Sequence, residues 1–280
     1  MVVVYVGVLY VIPADVRRLP RDDPRHIRAR FVSVACASIA CVGAARWLLD
    51  GSLTVAGTGW ASWEWLGLPA HGWGAASVLP LLLTATLFLA PLLTTGCYIH
   101  RCRRESFSFS AGRWQWVMRR EQVGWSAAFQ HELTSRVGAS AEQKLRTLVV
   151  GPLSEEVVFR GCMLPLLVVA GGQPPLQACL ECPLIFGVAH AHHAYERVAR
   201  GTHTLKQSLL IALVQNCYTY LFGLFACFLL LRTGHMWAAV LSHTFCNFMG
   251  LPDLSYNQVR RSVHATRAPF SLRRVCVLAR

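Results

Sequence analysis

Long apolar runs separated by short basic segments dominate the hydrophobic pattern of this chain. Three runs carry almost no charge and are each long enough to cross about 30 Å of hydrocarbon as a helix: 31–49, 75–98 and 207–231. Two further apolar runs, 148–170 and 235–251, contain charged or polar residues. Because lipid offers no hydrogen bonds to the backbone, such runs predict helices. The pattern therefore predicts an all-α fold, namely a polytopic bundle of transmembrane helices with a polar intramembrane cavity.

The first twelve residues are apolar but stop at Pro13, short of the about 20 residues that a spanning helix needs. They have neither a basic segment before the apolar run nor a small-residue cleavage site. The pattern predicts a short helix here and no signal peptide.

The longest polar stretch, 101–146, contains tryptophans, which favour contact with the membrane surface.

The basic residues are concentrated between the apolar runs. Six arginines lie between positions 17 and 30, six more between 101 and 120, and no Lys or Arg lies between 47 and 100. Because basic loops stay on the cytosolic side of a membrane, these segments and the tail 253–280 are predicted to be cytosolic. The tryptophan-rich loop 51–74 is predicted to lie at the opposite face.

Composition supports the membrane interpretation. Hydrophobic residues make up 54% of the 280 residues and charged residues only 15%, against roughly 25% charged in average globular domains. These values exclude a disordered chain and disfavour an ordinary soluble enzyme. The net charge of +13 also suggests nucleic acid, but no nucleic-acid motif accompanies it, and anionic lipid is the expected partner. The C-x-x-C at Cys179 and Cys182 has no second pair at zinc-site spacing and is interpreted as structural.

Charged residues occur inside the apolar run 148–170, where each costs about 2.5–3.5 kcal/mol near the middle of a bilayer. Ser154 is expected to cap a helix that begins near Glu155. Glu156 and Arg160 are then four residues apart on one face and can pair, while Glu155 points about 100° away. A free carboxylate in a poorly hydrated site is a candidate general base. The alternative is a structural ion pair, with Glu155 facing a water-filled gap.

Two further polar groups accompany apolar helices. His190, His192 and His193 end one apolar run, but the H-E-x-x-H pattern of zinc proteases is absent, so hydrogen-bonded core histidines are the alternative. His243 and Asn247 are four residues apart, and both can donate towards one point, as a developing oxyanion requires. The alternative for this pair is a polar contact between helices.

If the three helices converge, their centre holds a carboxylate, two or three imidazoles and an amide. No Ser or Cys is placed beside a base. This set of groups favours hydrolysis by an activated water over a covalent nucleophile.

Three motifs occur in order along the chain: E-E-x-x-x-R at 155–160, F-x-x-x-H at 186–190 and H-x-x-x-N at 243–247. With their flanks, FGVAHAHHAYE and RTGHMW…LSHTFCNFMG, they resemble the CAAX prenyl protease 2 family of type II CAAX endopeptidases. That family belongs to a wider group of glutamate-dependent intramembrane proteases. The resemblance covers about 151–252.

The resemblance implies an endoprotease that removes the last three residues from prenylated CaaX proteins. The resemblance implies that Glu155 activates the attacking water and that His190 holds the water and shuttles its proton. His243 and Asn247 stabilise the tetrahedral oxyanion. Glu156 and Arg160 are expected to orient the first of the three helices, and His192 and His193 receive no catalytic role.

The resemblance further implies no metal and no cofactor. The partners it implies are farnesylated or geranylgeranylated CaaX proteins, such as small GTPases of the Ras type, together with the lipid bilayer. Localisation is expected in the endoplasmic reticulum membrane, multi-pass, with a site accessible from the cytosol. We expect one membrane-embedded domain over 1–280, with a catalytic core at about 148–252 and a basic tail at 253–280.

Two alternatives remain open at this point. One is a zinc-dependent membrane metalloprotease that uses Glu155 with His190 and His243. The other is a non-catalytic membrane scaffold of the same fold.

Overall fold

A computed structural model describes residues 1–52, 61–93, 96, 108–110, 113–115, 130 and 133–250. The predicted cytosolic tail 253–280 and most of the polar stretch 101–146 lie outside these residues. The contacts divide the chain into two compact units, Met1–Thr86 with Leu133–Phe248, and Leu87–Glu132 with Met249–Arg280. Every residue of the predicted site lies in the first unit.

Among its described residues, the regular secondary structure of the first unit is helical. Within the described part of the chain before position 88 there are five helices: α1 (Val2–Val11), α2 (Ala14–Arg17), α3 (Pro24–Asp50), α4 (Ser62–Trp65) and α5 (Trp73–Leu87). A long composite helix, α6, runs over 141–170; it is α-helical at Ala141–Leu145 and Gly151–Glu156, and π-helical at Arg146–Val150, Val157–Met163 and Leu166–Ala170. Four helices follow: α7 (Pro175–His190), α8 (His192–Ala199), α9 (Leu205–Thr233) and α10 (Met236–Met249).

In the second unit the described residues include one antiparallel strand pair, β1 (Ser108–Ser110) with β2 (Arg113–Gln115), in which Ser108 lies opposite Gln115. The all-α prediction is thus confirmed for the helical unit, with this short hairpin as the exception.

Two helices, α3 and α9, are long and apolar enough to cross a membrane. In the most apolar 18-residue window of each helix, only 22% of the residues of α3 and 17% of those of α9 are buried. A core helix of a soluble protein would be buried on most sides. The outer surface of α9 carries exposed large apolar side chains, namely Leu209, Leu210, Leu213, Val214 and Leu221. Such a surface suits a lipid environment.

Local sequence signals explain where these two helices begin and end. Asp23 caps α3 by accepting a hydrogen bond from the Arg25 backbone N–H at 2.8 Å. Thr204 and Gln207 form a reciprocal capping box at the start of α9. Gly234 ends α9 in the left-handed conformation with φ of 69°, which a residue with a side chain rarely adopts.

The short helix predicted at the N-terminus is present as α1 and packs on the core of the helical unit. The Tyr5 hydroxyl lies 2.8 Å from Ser154 Oγ on α6, and its ring meets Phe159 edge-on at 5.6 Å. An aromatic side chain with a satisfied hydroxyl anchors a helix well. Tyr5 thereby fixes α1 against the part of α6 that carries the glutamates.

Helices α7 and α9 approach each other closely at Gly223. A Cβ atom at this position would lie 2.6 Å from Pro183 Cβ and 3.0 Å from Arg160 Nη2. Glycine is therefore required for the two helices and the buried guanidinium to pack together.

Candidate active site

The site is built on a widened segment of α6 that leaves two backbone carbonyls without their usual helical partners. Gly151 N–H donates to Arg146 O in a π turn, so the Thr147 carbonyl loses the partner it would have in an α-helix. Pro152 has no N–H, so the Leu148 carbonyl loses its partner as well. A Cβ at Gly151 would lie 2.9 Å from Arg146 O, so this π turn favours glycine.

Helix α10 supplies the missing donors. Asn247 Nδ2 donates to Thr147 O at 3.0 Å, and Thr244 Oγ1 donates to Leu148 O at 2.8 Å. Buried backbone carbonyls need such partners. The hydrogen bonds hold α10 against α6 and fix the position of His243.

Next to these bonds lies a buried charged triad. Arg160 Nη1 donates to Glu156 Oε1 at 3.2 Å, and both side chains are fully buried. His243 Nδ1 donates to the same oxygen at 2.7 Å. The guanidinium also stacks on Phe186, with its central carbon 4.4 Å from the ring centroid. The predicted Glu156–Arg160 pair is confirmed, and its second function, holding His243, was not predicted.

The predicted role of Ser154 as a helix cap is wrong. Ser154 lies inside α6, whose first turn is instead capped by Ser140 in a capping box with Gln143. Ser154 Oγ donates to Gly151 O at 3.1 Å and meets Tyr5. The helix extends further back than the apolar run because Ser140 supplies a stronger start signal ahead of a polar first turn.

Glu155 points away from the Glu156–Arg160 pair, as the helical spacing predicts. Its side chain is 24% exposed, and its Oε2 lies 3.8 Å from His243 Nε2. It lines a cavity of about 120 Å³ together with His190, Ser154 and Gly151. The carboxylate therefore has access to solvent in this cavity, and His243 stands between the two adjacent glutamates.

His190 closes α7 and faces the same cavity as Glu155. Its Nδ1 donates to Phe186 O at 2.9 Å, and its ring meets Phe186 edge-on at 4.5 Å. Because a carbonyl oxygen only accepts, the neutral ring carries its proton on Nδ1 and leaves Nε2 as an acceptor.

The neighbouring histidines also line the cavity, a placement that the sequence did not predict. His192 Nδ1 donates to Ala189 O at 2.6 Å, and the His192 and His193 rings lie 3.9 Å apart. Burial lowers the pKa of His193 to about 3, so this ring is neutral at physiological pH. Among the described residues, no group of three or more His, Cys, Asp or Glu side chains is placed to hold a metal ion.

Of the four predicted catalytic residues, two line the cavity and two lie beside it. Glu155 and His190 share the cavity, and His243 reaches Glu155 from the side without lining it. Asn247 lies one turn further along α10 and uses one amide N–H on the α6 backbone.

Three arginines to which the sequence interpretation gave no place in the site also line the cavity: Arg21, Arg30 and Arg146. No motif distinguishes them from the other arginines of the basic segments, so the sequence offered no signal for their placement.

Fold and site together describe a helical protein with a carboxylate and imidazoles in one cavity. A family model, Type II CAAX prenyl endopeptidase Rce1-like, matches residues 140–249, which contain all of these groups. Human CAAX prenyl protease 2 is 36% identical over 251 residues, covering 89% of this chain and 68% of the human protein. The rat protein of that name is 34% identical, covering 89% and 65%, and the Arabidopsis thaliana protein is 31% identical, covering 92% and 79%.

No solved structure matches this chain significantly. The chain spans about two thirds of the length of its two mammalian relatives. The extent of these matches shows that the chain belongs to the CAAX prenyl protease 2 family of type II CAAX endopeptidases.

Proposed function

We propose that this chain is an intramembrane endoprotease that removes the C-terminal aaX tripeptide from prenylated CaaX proteins by means of a glutamate-activated water. The observation that carries the proposal is the shared cavity of Glu155 and His190, with His243 fixed beside Glu155 by a buried carboxylate. This arrangement occurs within a chain of the family whose named members are CAAX prenyl proteases.

Water activation is assigned to Glu155 and His190. Glu155 is solvent-accessible through the cavity and has no hydrogen bond to a described residue that would compete with water. His190 Nε2 is free to accept, because Nδ1 is committed to Phe186 O. A water between the two groups can lose its proton to the carboxylate as it attacks the scissile carbonyl. His190 then carries the proton towards the leaving amine.

Oxyanion stabilisation is assigned to His243 and Asn247. His243 Nδ1 is held by Glu156, so Nε2 is the nitrogen that faces the reaction centre, as in other carboxylate-supported imidazoles. Nε2 donates only when the ring is an imidazolium, whose charge Glu156 balances. Asn247 uses one N–H on Thr147 O and has a second for the oxyanion. Two such donors stabilise a tetrahedral intermediate.

The cavity suits a substrate that is half lipid and half peptide. Its wall includes the apolar side chains of Leu9, Phe31 and Val34 as well as three arginines. A prenyl chain partitions into the bilayer, while the peptide to be cut is polar. We propose farnesylated or geranylgeranylated CaaX proteins, including small GTPases of the Ras type, as substrates.

The proposed setting is the endoplasmic reticulum membrane, with several spans and with the basic segments on the cytosolic side. The two candidate spanning helices and the lipid-suited surface of α9 support a membrane location. The arginines between 17 and 30 support the orientation.

The test is a cleavage assay on purified protein, with a farnesylated CaaX peptide and its unprenylated counterpart, in which the released tripeptide is identified by mass. We expect cleavage of the prenylated peptide only. Glu155→Gln should lower the rate by about 10²–10⁴-fold, the usual contribution of a general base. Glu142→Gln is the matched control, because Glu142 lies on the same helix and pairs with Arg28 at the surface.

Two results of this assay would contradict the proposal. Wild-type turnover in Glu155→Gln would remove the glutamate mechanism. Loss of activity under strong chelation, restored by zinc, would favour the metalloprotease alternative instead.

A further inference from the structure

One end of the cavity is cationic. Arg21 from the α2–α3 connection, Arg30 from α3 and Arg146 from α6 all line it, and Glu155 is the one carboxylate among the lining residues. Such a concentration of guanidinium groups in a concave site attracts anions.

The three arginines differ in how far they are already neutralised. Arg30 Nη1 lies 3.6 Å from Glu196 Oε1. Arg146 Nη1 donates to Asp22 Oδ1 at 2.8 Å, and its contacts with described residues use this nitrogen alone. Arg21 is exposed, and no described residue forms a side-chain hydrogen bond or ion pair with it. Its guanidinium is thus available to a ligand, as are Nε and Nη2 of Arg146.

The spacing between Arg146 and Glu155 along α6 leaves room for a tripeptide. Arg146, Val150, Gly151, Ser154 and Glu155 all line the cavity from one face of α6. The nine-residue rise from Arg146 to Glu155 is at most about 14 Å at 1.5 Å per residue. Three extended residues span about 10 Å, and an arginine side chain covers the remaining few ångströms.

We propose that Arg21, assisted by the free donors of Arg146, binds the terminal carboxylate of the peptide substrate. This inference rests on the proposed function and adds the groups that determine its specificity. A carboxylate accepts two parallel N–H bonds from a guanidinium, which fixes its position as well as its charge. The spacing between Arg146 and Glu155 along α6 then favours cleavage three residues from the end, which is the length of the aaX tripeptide.

The experiment measures binding, which does not depend on turnover. Two fluorescent farnesylated CaaX peptides are compared, one with a free C-terminal carboxylate and one with a C-terminal amide. Both are titrated into full-length Glu155→Gln protein in vesicles of neutral lipid and in vesicles with added anionic lipid. The same titrations are made with Arg21→Gln, Arg21→Lys or Arg18→Gln added. Arg18 is the matched control, because it is an exposed arginine of the same segment that does not line the cavity.

We expect the parent and the Arg18→Gln control to bind the acid about 10- to 100-fold more tightly than the amide, in line with charged hydrogen bonds. Arg21→Gln should reduce this preference to less than about threefold, and Arg21→Lys should keep part of it because the charge remains. The amide should bind equally well to all variants.

An unchanged acid preference in Arg21→Gln would overturn the inference, as would the absence of any preference in the parent. Equal weakening of acid and amide, seen only in vesicles with anionic lipid, would assign Arg21 to lipid headgroups and would also overturn it. Acid-selective binding that depends on Arg21, combined with no cleavage by the wild-type protein, would retain this site and refute the proposed function.

Discussion

Glu155 and Glu156 are adjacent on one helix and have opposite surroundings. Glu156 is fully buried, paired with Arg160 and bonded to His243. Glu155 is 24% exposed and lines the cavity beside His190. The turn of about 100° between neighbouring helical residues therefore separates a structural carboxylate from one that is available for chemistry. The buried glutamate also holds the His243 imidazole next to the exposed one.

The largest expected effect comes from breaking the buried triad. Glu156→Leu leaves the Arg160 guanidinium buried without a counterion, which should destabilise the protein by about 3–5 kcal/mol. The double variant Glu156→Leu/Arg160→Met should recover most of this stability, because it removes both charges together. Thermal unfolding in detergent measures both effects.

Activity separates the structural role of Glu156 from its effect on His243. The double variant should be inactive on the prenylated peptide, because His243 has lost the carboxylate that orients it. A stable and fully active double variant would show that Glu156 has no role beyond charge balance.

A smaller loss is expected at the end of α10. Asn247→Ala should reduce kcat by about 10²–10³-fold, in line with removal of one oxyanion donor, and should leave KM nearly unchanged. Thr244→Val, which removes the neighbouring bond to α6, is the control for a purely structural effect and should cost about 1 kcal/mol of stability. An Asn247→Ala enzyme with an unchanged rate would limit Asn247 to binding the α6 backbone.

Gly223→Ala tests the packing behind the triad. The added methyl would meet Pro183 and Arg160 Nη2, and overpacking of this kind costs about 1–3 kcal/mol. Gly43→Ala is the matched control on α3, because a Cβ there meets nothing within 4 Å. A lower midpoint of thermal unfolding is expected for the first variant alone, and equal midpoints would mean that α7 and α9 pack less tightly than described.

The smallest effect is expected on the cavity side. Tyr5→Phe removes the hydroxyl that meets Ser154 Oγ but keeps the ring against Phe159. The loss of one hydrogen bond should cost about 1 kcal/mol in the free energy of unfolding. A chemical denaturation curve checks this value, and a cost well above that range would give α1 a larger part in holding the site.

The sequence predicted the positions of the long apolar helices α3 and α9 and the Glu156–Arg160 pair, because both depend on local periodicity. The short helix at the N-terminus and the direction of Glu155 follow from the same spacing. Family motifs drew attention to His190, His243 and Asn247, but their spatial arrangement depends on contacts between helices distant in sequence. The roles of these residues remain predictions.

Other features had no local signal. The bond from His243 to Glu156 joins residues 87 positions apart. The widening of α6 at Gly151 and Pro152 is stabilised by hydrogen bonds from α10, which is distant in sequence. Ser154 was misread as a cap because the apolar run starts late, whereas the helix starts at a polar turn after Ser140. Arg21, Arg30 and Arg146 looked like ordinary basic residues, since nothing in the sequence indicates which arginines face a cavity.

The most direct test compares Glu155→Gln with Glu156→Gln, measuring unfolding temperature and turnover of a farnesylated CaaX peptide on the same preparations. We expect Glu155→Gln to unfold at the wild-type temperature with almost no turnover, whereas Glu156→Gln should lose both stability and activity. A Glu155→Gln protein that cleaves the peptide at the wild-type rate would rule out Glu155 as the group that activates the water.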